Sequence, residues 1–408
     1  MQTNLAPFIR DTEAGQEADA ILRKCTHCGF CLANCPTYRL LGDELDSPRG
    51  RIYQIKQVLE GAEPTATTQL HLDRCLTCRA CETTCPSGVE YGRLADLGRQ
   101  LVEERVPRSR PERIMRGLLR TVLPHRRLFT PLLALGRTFR PLMPAMLREH
   151  VPVARRAAWP TATATPARRV ILFEGCVQPA LVPAINAHSA RVLHELGIEP
   201  VRIPAAGCCG AIDQHLGAPD KARTRIRHNL DTWAPALDAG ADAIVVNATG
   251  CGAQVAEYAH ALAADPAYAE RAREATRLAV DPVELLEPYA DQLRPADGIP
   301  TRIAFHAPCT LQHGLGLGGR VENLLRRIGF ELTPVADPHI CCGSAGTYSV
   351  LQPELADQLR GDKVRNLERG APEMIATANI GCLTHIQTGT GLPVRHWLEM
   401  ITATDVGS

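Results

Sequence analysis

The sequence CTHCGFCLANCP occupies residues 25–36, and CLTCRACETTCP at residues 75–86 repeats its pattern. In both runs, three cysteines are separated by two residues each, the fourth follows after three more, and a proline comes next. This spacing lets one short loop direct three thiolates at a compact object, but the same loop cannot easily supply a fourth. The proline ends each loop and turns the chain away. The two loops therefore organise the first part of the chain.

Cysteine runs with this spacing hold cubane iron-sulfur clusters, and in two-cluster proteins the fourth cysteine of each run ligates the other cluster. We therefore predict two [4Fe-4S] clusters with crossed ligands, which keeps the clusters close together and suits electron transfer. The first set is Cys25, Cys28, Cys31 and Cys85, and the second set is Cys75, Cys78, Cys81 and Cys35. Structural zinc sites are the alternative, but they leave the third cysteine and the proline of each run unexplained.

The overall composition is that of an ordinary globular protein. The chain has 408 residues, 45% of them hydrophobic and 22% charged, which is enough for two or three packed domains. A net charge of +1 gives no overall field that attracts nucleic acid, so we expect no nucleic-acid partner. Sixteen cysteines without an apolar N-terminal signal favour a reducing compartment, the cytoplasm. The sequence has no run of eighteen apolar residues, so we expect no transmembrane segment.

A helical insert separates the two cysteine runs. Apolar residues recur at helical spacing between Pro48 and Gly61, which stand where a helix begins and ends. Its cations Arg49, Arg51 and Lys56 either face the negatively charged clusters or lie on a solvated helix face. Residues 1–105 are thus predicted to form a mostly α-helical ferredoxin domain with two clusters.

Residues 106–168 differ in character from the rest. Between residues 113 and 148 the chain has eight arginines and no acidic residue, interleaved with large apolar residues and four prolines. This pattern indicates a basic, amphipathic and interrupted helical segment. It could lie on an anionic membrane surface, grip a partner, or cross its own domains with its arginines in solvent. Residues 159–166, WPTATATP, are typical of a linker.

An internal repeat organises the second half of the chain. In each unit a single cysteine is followed after 32 residues by the triplet Cys-Cys-Gly (CCG), and a last cysteine comes 42 or 40 residues after the doublet. Apolar strands and helices alternate around these cysteines in the order strand, helix, strand, helix, strand. The repeat predicts two tandem α/β cysteine-rich units with parallel sheets, at residues 169–297 and 298–408.

The cysteines of each unit follow its strands. Loops after parallel strands gather at the carboxyl edge of the sheet, where ligands bind, so we expect each unit's cysteines to converge. Simple burial of free cysteines is the alternative, but eight at repeated strand ends favour a metal or redox site with room for one further iron-sulfur cluster per unit. The candidate ligands are Cys176, Cys208, Cys209 and Cys251 in the first unit and Cys309, Cys341, Cys342 and Cys382 in the second.

Two ferredoxin motifs followed by two CCG units resemble the iron-sulfur subunits of membrane-associated flavoprotein dehydrogenases. The repeat is similar to that of the CCG-containing subunit of heterodisulfide reductase, of lactate-utilisation proteins and of the iron-sulfur subunit of anaerobic glycerol-3-phosphate dehydrogenase. Within that group the chain resembles the glycolate oxidase iron-sulfur subunits along nearly its whole length. The resemblance is carried by CPTYRLLGDELDSPRGRIYQIKQVLEG, HLDRCLTCRACETTCPSGV and CCGSAGTY.

This resemblance implies an electron-transfer subunit that works with two flavin-containing subunits, one of which oxidises glycolate to glyoxylate. Electrons would pass from the flavin through the clusters to a membrane quinone or another acceptor. The chain would then contain no catalytic residue and bind no flavin, and it would associate peripherally with the cytoplasmic face of the inner membrane. Lactate or glycerol 3-phosphate could replace glycolate as the donor. A heterodisulfide-reductase-like enzyme acting through its CCG units and a zinc scaffold are the competing classes.

The chain departs from the heterodisulfide reductase pattern at the last cysteine of each unit. That family has a CxxC pair there, whereas this chain has Gln254 and His385 at the partner positions. Four thiolates suffice for a cubane cluster, but disulfide-cleaving chemistry cannot be carried over. His385 is either a further ligand or a helix-start residue bonded to backbone. His306, His313 and His339 either hydrogen-bond a cluster sulfur and raise its potential, or simply lie in partly buried loops.

Overall fold

The computed structural model describes residues 1–143, 151–161 and 168–404. It has the predicted architecture, a helical ferredoxin domain followed by two cysteine-rich α/β units with parallel sheets. Residues 1–143 contain helices and no strand. The α-helices there are α1 (Pro7–Arg10), α2 (Glu13–Lys24), α3 (Pro36–Leu41), α4 (Pro48–Leu59), α5 (Ala66–Asp73), α6 (Ala80–Thr83), α7 (Tyr91–Arg105), α8 (Arg110–Val122) and α9 (Arg126–Phe139).

Helix ends set the position of the first cysteine loop. The Thr12 side chain accepts a hydrogen bond from the Gly15 N–H and caps α2, whose last turn leads directly into Cys25. Ser47 caps α4 in the same way, and Pro48 occupies its first position, as the sequence predicts. Helices α2, α4 and α7 pack around one hydrophobic core. The insert between the cysteine runs therefore forms the centre of the domain.

Helices α8 and α9 lie across the domains, and some of their arginines turn toward the protein. Arg116 pairs with Asp73 at 2.8 Å, and Arg137 donates to the Leu181 carbonyl at 2.7 Å. Residues 144–148 of the predicted basic segment and residues 162–166 of the predicted linker lie outside the described residues. In the described part of the chain, every helix is too short or too polar to cross a membrane.

The first unit alternates strands and helices as predicted, with short helices added at its cysteine loops. Its helix α14 contains Cys251 within its first turn, so the last cysteine lies in a helix and not before one. Its elements are β1 (Arg168–Leu172), α10 (Gln178–Leu181), α11 (Ala184–Glu195), β2 (Ile198–Arg202), α12 (Ala211–His215), α13 (Pro219–Asp238), β3 (Ile244–Val245), α14 (Thr249–Val255), α15 (Tyr258–Ala261), α16 (Ala269–Leu278), β4 (Ala279–Val280) and α17 (Pro282–Leu286).

The second unit repeats the alternation of strands and helices with fewer helices. It contains β6 (Arg302–His306), α18 (Arg320–Arg327), β7 (Glu331–Leu332), α19 (Tyr348–Leu351), α20 (Pro353–Glu368), β8 (Met374–Thr377), α21 (Ile380–Gln387) and β9 (Val394–His396). Strand β5 (Leu293–Pro295), between the units, pairs antiparallel with β10 (Ile401–Ala403) near the end of the described chain. The sequence did not predict this pairing, because it joins three-residue segments about a hundred residues apart.

The two four-stranded sheets have the same topology. Their strand orders are β2-β1-β3-β4 and β7-β6-β8-β9, and all neighbouring strands are parallel. Val170 and Leu172 of β1 share one hydrophobic core with Ile303 and Phe305 of β6. The units therefore pack on each other through one face of each sheet.

The crossing of α4 and α7 gives a stability prediction. A β-carbon on Gly98 would lie 2.6 Å from Ile55 Cγ1, so we expect Gly98→Ala to lower the free energy of unfolding by about 1–3 kcal/mol. Gly117→Ala in α8 is the matched control, because nothing lies within 4 Å of its added carbon. It should be neutral or stabilise the protein by up to about 1 kcal/mol. Urea denaturation measures both, and equal effects would contradict the packing argument.

Candidate metal centres

The first predicted set of ligands lies around one pocket. Cys25, Cys28, Cys31 and Cys85 all line one cavity, and Cys81 of the second set reaches its wall. Cys25 directly follows α2, and Cys85 comes from the second cysteine run. The fourth cysteine of one run thus lies with three cysteines of the other. Four thiols around one cavity are a donor set that fits an iron-sulfur cluster.

The second set comes together beside the first. Burial is the main reason why the pKa values of the Cys78 and Cys81 thiols lie well above their usual range. Electrostatic interaction with Cys35 and Cys75 raises both pKa values further. Cys35 precedes Pro36, which opens α3. Because the Cys35 thiol interacts electrostatically with Cys78 and Cys81, it lies close to the second run, as crossed ligation requires.

The guanidinium of Arg51 occupies the interior next to this second set. Its side chain is only 1% exposed, although it carries a full positive charge. The cation both neutralises a buried carboxylate and approaches a cysteine sulfur. Its acceptors are the His71 carbonyl at 2.7 Å, Thr37 Oγ1 at 3.1 Å and Asp46 Oδ1 at 3.2 Å, and Cys35 Sγ lies 3.9 Å from it.

The other two cations of α4 differ in their surroundings. Arg49 lines the first cavity and is held by Glu44 at 2.5 Å. Lys56 instead pairs with Glu60 at 2.5 Å along the helix. Two of the three cations therefore face the cysteine sites, and the third is held by a carboxylate of its own helix.

The surroundings of Cys75 favour its thiolate form. Burial alone would raise the pKa of this thiol, but the guanidinium groups of Arg51 and Arg99 outweigh that effect and lower it. The Tyr91 hydroxyl donates to Cys75 Sγ at 3.5 Å, and the Thr77 N–H donates at 3.4 Å. Because metals bind the thiolate, these donors prepare the residue for a cluster. Sequence reasoning missed Tyr91 and Arg99 as neighbours of Cys75. The sequence does offer one signal for Arg99, which is an arginine on the apolar face of α7.

The four cysteines of the first unit converge at the carboxyl edge of its sheet. Hydrogen bonds from the Cys176 and Cys209 thiols lower the pKa of Cys208 well below its usual range, and the Gly210 N–H donates to Cys208 Sγ at 3.5 Å. The Cys209 thiol also interacts with the thiol of Cys251, and both cysteines are free. The four thiols thus form a continuous row, which brings the whole predicted set together.

The second unit has the same row. Cys309 Sγ lies 3.9 Å from Cys341 Sγ, and the free thiol of Cys342 interacts with those of Cys341 and Cys382. Asn379 donates from Nδ2 to Cys382 Sγ at 3.5 Å. These four thiols are likewise a donor set suited to a cluster.

The glycine of each CCG triplet lets the doublet approach the following long helix. Gly343 has a φ of +90°, and a β-carbon there would lie 2.6 Å from the Ala356 carbonyl oxygen. Gly210 has a φ of +100° and stands in the same relation to Ala222, at 3.3 Å. Only glycine adopts this backbone without strain. The Gly343 N–H also donates to Cys341 Sγ at 3.5 Å.

The second ferredoxin set and the second cysteine-rich unit are in direct contact. Leu76 and Cys341 belong to one buried apolar cluster, against which Cys78 and Cys309 also pack. His313 also connects the two sides of this interface by hydrogen bonds. Its ring is hydrogen-bonded to Thr83 Oγ1 at 2.8 Å and to the His339 carbonyl at 3.3 Å.

The two cysteine-rich sites also adjoin each other. Asn379, which contacts Cys382, accepts a hydrogen bond from the Gly250 N–H at 3.3 Å. The Thr249 and Thr310 hydroxyls are hydrogen-bonded at 2.8 Å. The loops that carry the cysteines of one unit therefore touch those of the other. Sequence reasoning did not single out Asn379, because its contact depends on how the two units pack.

His306 and His385 have opposite surroundings. His306 lies with Cys342 and Cys382, and the three ligand atoms are all within 4.8 Å of one another. His385 lies inside α21, where Nε2 is hydrogen-bonded to the Ala356 carbonyl at 3.2 Å. The histidine that could be a further ligand on sequence grounds therefore bonds to backbone, and a different one faces the thiols.

Comparison with known proteins agrees with this organisation. The 4Fe-4S dicluster domain family matches residues 21–89, and the cysteine-rich (CCG) domain family matches residues 170–256 and 303–387. These ranges contain all sixteen cysteines.

Individual relatives agree as well. The glycolate oxidase iron-sulfur subunit of Escherichia coli (strain K12) is 54% identical over 403 residues, which are 98% of each chain. A probable glycolate oxidase iron-sulfur subunit of Bacillus subtilis (strain 168) is 32% identical, covering 90% of this chain and 89% of its own. Lactate utilization protein A of Geobacillus thermodenitrificans (strain NG80-2) is 28% identical over 57% of this chain and 98% of its own.

Crossed ligation predicts which cluster each serine variant loses. Cys35→Ser removes a thiolate from the second set, so we expect loss of that cluster's signal in electron paramagnetic resonance (EPR) and of about four irons, with the first cluster retained. Cys85→Ser is the matched variant and should affect the first cluster. Iron and acid-labile sulfide assays on anaerobically purified protein complete the measurement. Loss of the first cluster alone in Cys35→Ser would refute the assignment.

Proposed function

This chain belongs to the family of glycolate oxidase iron-sulfur subunits, and we propose that it carries electrons within a glycolate oxidase complex. Two flavin-containing subunits are its partners, and one of them oxidises glycolate to glyoxylate. This chain binds two [4Fe-4S] clusters in residues 1–105 and one further iron-sulfur cluster in each unit, at residues 169–297 and 298–408. Each cluster supplies one-electron chemistry, which lets a two-electron flavin discharge in two steps. A membrane quinone is the proposed final acceptor.

The observation that carries this proposal is that Cys78 and Cys309 pack against the same buried cluster, which contains Cys341. It makes the cysteine sites neighbours across a domain boundary. The first ferredoxin set adjoins the second through Cys81, and the second unit adjoins the first through Asn379. Isolated structural metal sites would not require such adjacency, whereas electron transfer does.

In this row of four cysteine sites, the first ferredoxin set is the one that reaches solvent. Of the sixteen cysteines, all of which are described, Cys28 alone is exposed. The nearby Phe30 is 65% exposed and lines the same cavity. An exposed aromatic side chain next to an accessible ligand is suited to contact with a protein partner. We assign this edge to the flavin-containing subunit.

Reduction by glycolate tests the function. In the anaerobic complex with its flavin-containing subunits, glycolate should bleach the visible absorbance of the clusters and produce their reduced EPR signals. The chain without those subunits is the control and should stay oxidised. Reduction by lactate or glycerol 3-phosphate but not by glycolate would change the proposed donor. Turnover of a disulfide by the isolated chain with an artificial electron donor would instead favour an enzyme acting through its CCG units.

The metal content separates two forms of the proposal. About sixteen irons and sixteen sulfides per chain are expected if both cysteine-rich units hold cubane clusters. About eight would leave clusters only in the ferredoxin domain. Zinc without sulfide would refute electron transfer.

Residues 106–168 attach the complex to the membrane in this proposal. On α9, large apolar side chains at helical spacing face solvent, and α8 has a similar exposed stripe. The exposed fractions are 45% for Leu128, 53% for Leu132, 56% for Leu135 and 50% for Phe139, with 70% for Ile114 and 54% for Leu118 on α8. Exposed apolar stripes of this kind mark a binding face.

An anionic bilayer is the occupant that fits this face. Arg113 and Arg127 are exposed on the same two helices, and no acidic residue occurs between residues 113 and 148. An interfacial helix buries its apolar side chains among the lipids while its arginines meet the negative headgroups. Arg116 and Arg137 meanwhile hold the helices to the protein. The complex thereby lies at the cytoplasmic face of the inner membrane.

Vesicle flotation tests the membrane proposal. We expect binding to vesicles that contain phosphatidylglycerol and weaker binding to pure phosphatidylcholine. The double variant Leu132→Glu and Leu135→Glu should weaken binding at least about tenfold, since each buried leucine contributes roughly 1.5–3 kcal/mol. Leu41→Glu with Leu70→Glu is the matched control at exposed leucines elsewhere. Loss of binding to the flavin-containing subunits in the first pair, with flotation unchanged, would assign the face to a protein partner.

A further inference from the structure

His306 is a buried histidine that the fold leaves without a hydrogen-bond partner. It is the last residue of β6 and is 2% exposed. Neither Nδ1 nor Nε2 has a partner among the described residues. A buried imidazole without a partner is unfavourable unless it binds something that the protein chain does not itself supply. The position of the ring indicates what that is.

The ring of His306 lies beside two cysteine sulfurs. Its nearest ring nitrogen, Cys342 Sγ and Cys382 Sγ lie mutually within 4.8 Å, and all three residues are buried. Donor atoms around one metal ion have this kind of spacing, because metal–sulfur bonds are about 2.3 Å long and metal–nitrogen bonds about 2.0–2.1 Å. A second such trio in the described residues, Asp43, Asp46 and His71, is explained by the ion pair of Asp46 with Arg51.

The first unit has no histidine at the corresponding position. Phe173 stands three residues before Cys176, as His306 stands three residues before Cys309. The Phe173 ring packs edge-on against Trp233 at 5.2 Å in an apolar core. Because the same fold accepts a phenyl ring here, folding does not demand the imidazole. The histidine is therefore specific to the chemistry of the second unit.

A second difference between the units points the same way. Asn229 and Lys363 each lie seven residues after the alanine that meets the CCG glycine, so they are equivalent positions. Asn229 donates to the Cys208 carbonyl, whereas Lys363 is buried with Nζ bonded to the Asp337 carbonyl at 2.9 Å. The ammonium of Lys363 interacts electrostatically with the thiols of its unit. The second unit thus places a cation where the first has a neutral amide.

We propose that His306 binds iron directly through a ring nitrogen, beside Cys342 and Cys382, so that the second unit has mixed nitrogen and sulfur ligands. This ligand assignment extends the proposed function. It rests on one part of that function, namely that the second unit holds an iron-sulfur cluster. The first unit, with Phe173, remains ligated by thiolates alone. Imidazole is neutral, and histidine ligation raises the reduction potential of iron-sulfur centres. Together with Lys363 it makes the second unit easier to reduce than the first.

Isotope labelling tests this ligand on the native protein. In the full-length chain labelled with ¹⁵N only in histidine, pulsed EPR of the reduced clusters should show the hyperfine coupling of one directly bonded nitrogen. The coupling should persist in His385→Gln, the matched control, whose ring bonds to the Ala356 carbonyl. It should vanish in His306→Cys, which offers a thiolate in place of the nitrogen. Absence of the coupling in the native protein, or its survival in His306→Cys, would overturn the proposal.

Metal content and potential give an independent readout. His306→Phe reproduces the residue of the first unit, and we expect it to lose up to about four irons or to lower the midpoint potential of one cluster. Unchanged iron and unchanged potentials in this variant would overturn the proposal. Zinc in place of iron in the second unit would also do so. A further outcome is a protein with about sixteen irons per chain in clusters that glycolate reduces, and yet with no ¹⁵N hyperfine coupling from histidine. That result would refute His306 as a ligand and leave the proposed function intact.

Discussion

The enclosed guanidinium of Arg51 connects the parts of the ferredoxin domain on which the rest of the structure depends. It joins Asp46 before α4 to the carbonyl of His71 in α5 and approaches Cys35 of the first cysteine run. A buried ion pair adds little net stability, because desolvation offsets its attraction. Its importance lies in compensating the negative charge that thiolates bring into the interior. Arg99 does the same from α7, so the helices that form the core also neutralise the sites.

The second half of the molecule contains two sheets of the same topology, whose cysteine sites have different surroundings. The doublets keep the same backbone, since Gly210 and Gly343 approach equivalent alanines. The side chains around them differ, with Phe173 in one unit where His306 stands in the other, and Asn229 where Lys363 stands. A common scaffold can in this way hold neighbouring metals in unlike electrostatic surroundings, and a difference in potential gives a row of redox centres a direction.

Much of this organisation could be predicted because it depends on local pattern. The predicted strands and helices of both units are present, since their apolar periodicity reports one buried face. The antiparallel pairing of β5 with β10 was missed because such short segments carry no pattern of their own. The distinction between His306 and His385 was missed because it depends on which side of β6 and α21 faces the cysteines. For α8 and α9, no local pattern indicated that Arg116 would form an ion pair with Asp73 while leucines of these helices are exposed to solvent.

The open edge at Cys28 has a consequence for how the protein survives in air. Molecular oxygen and chelators reach an iron-sulfur site through its exposed ligands, and three of the four cysteine sets have no exposed member. With clusters bound at all four sets, decay of the isolated chain would therefore start at the first ferredoxin site and proceed inward. A subunit docked over Phe30 would cover that edge. On the proposed docking, assembly of the complex would protect the chain from oxidative damage at the same surface through which it exchanges electrons.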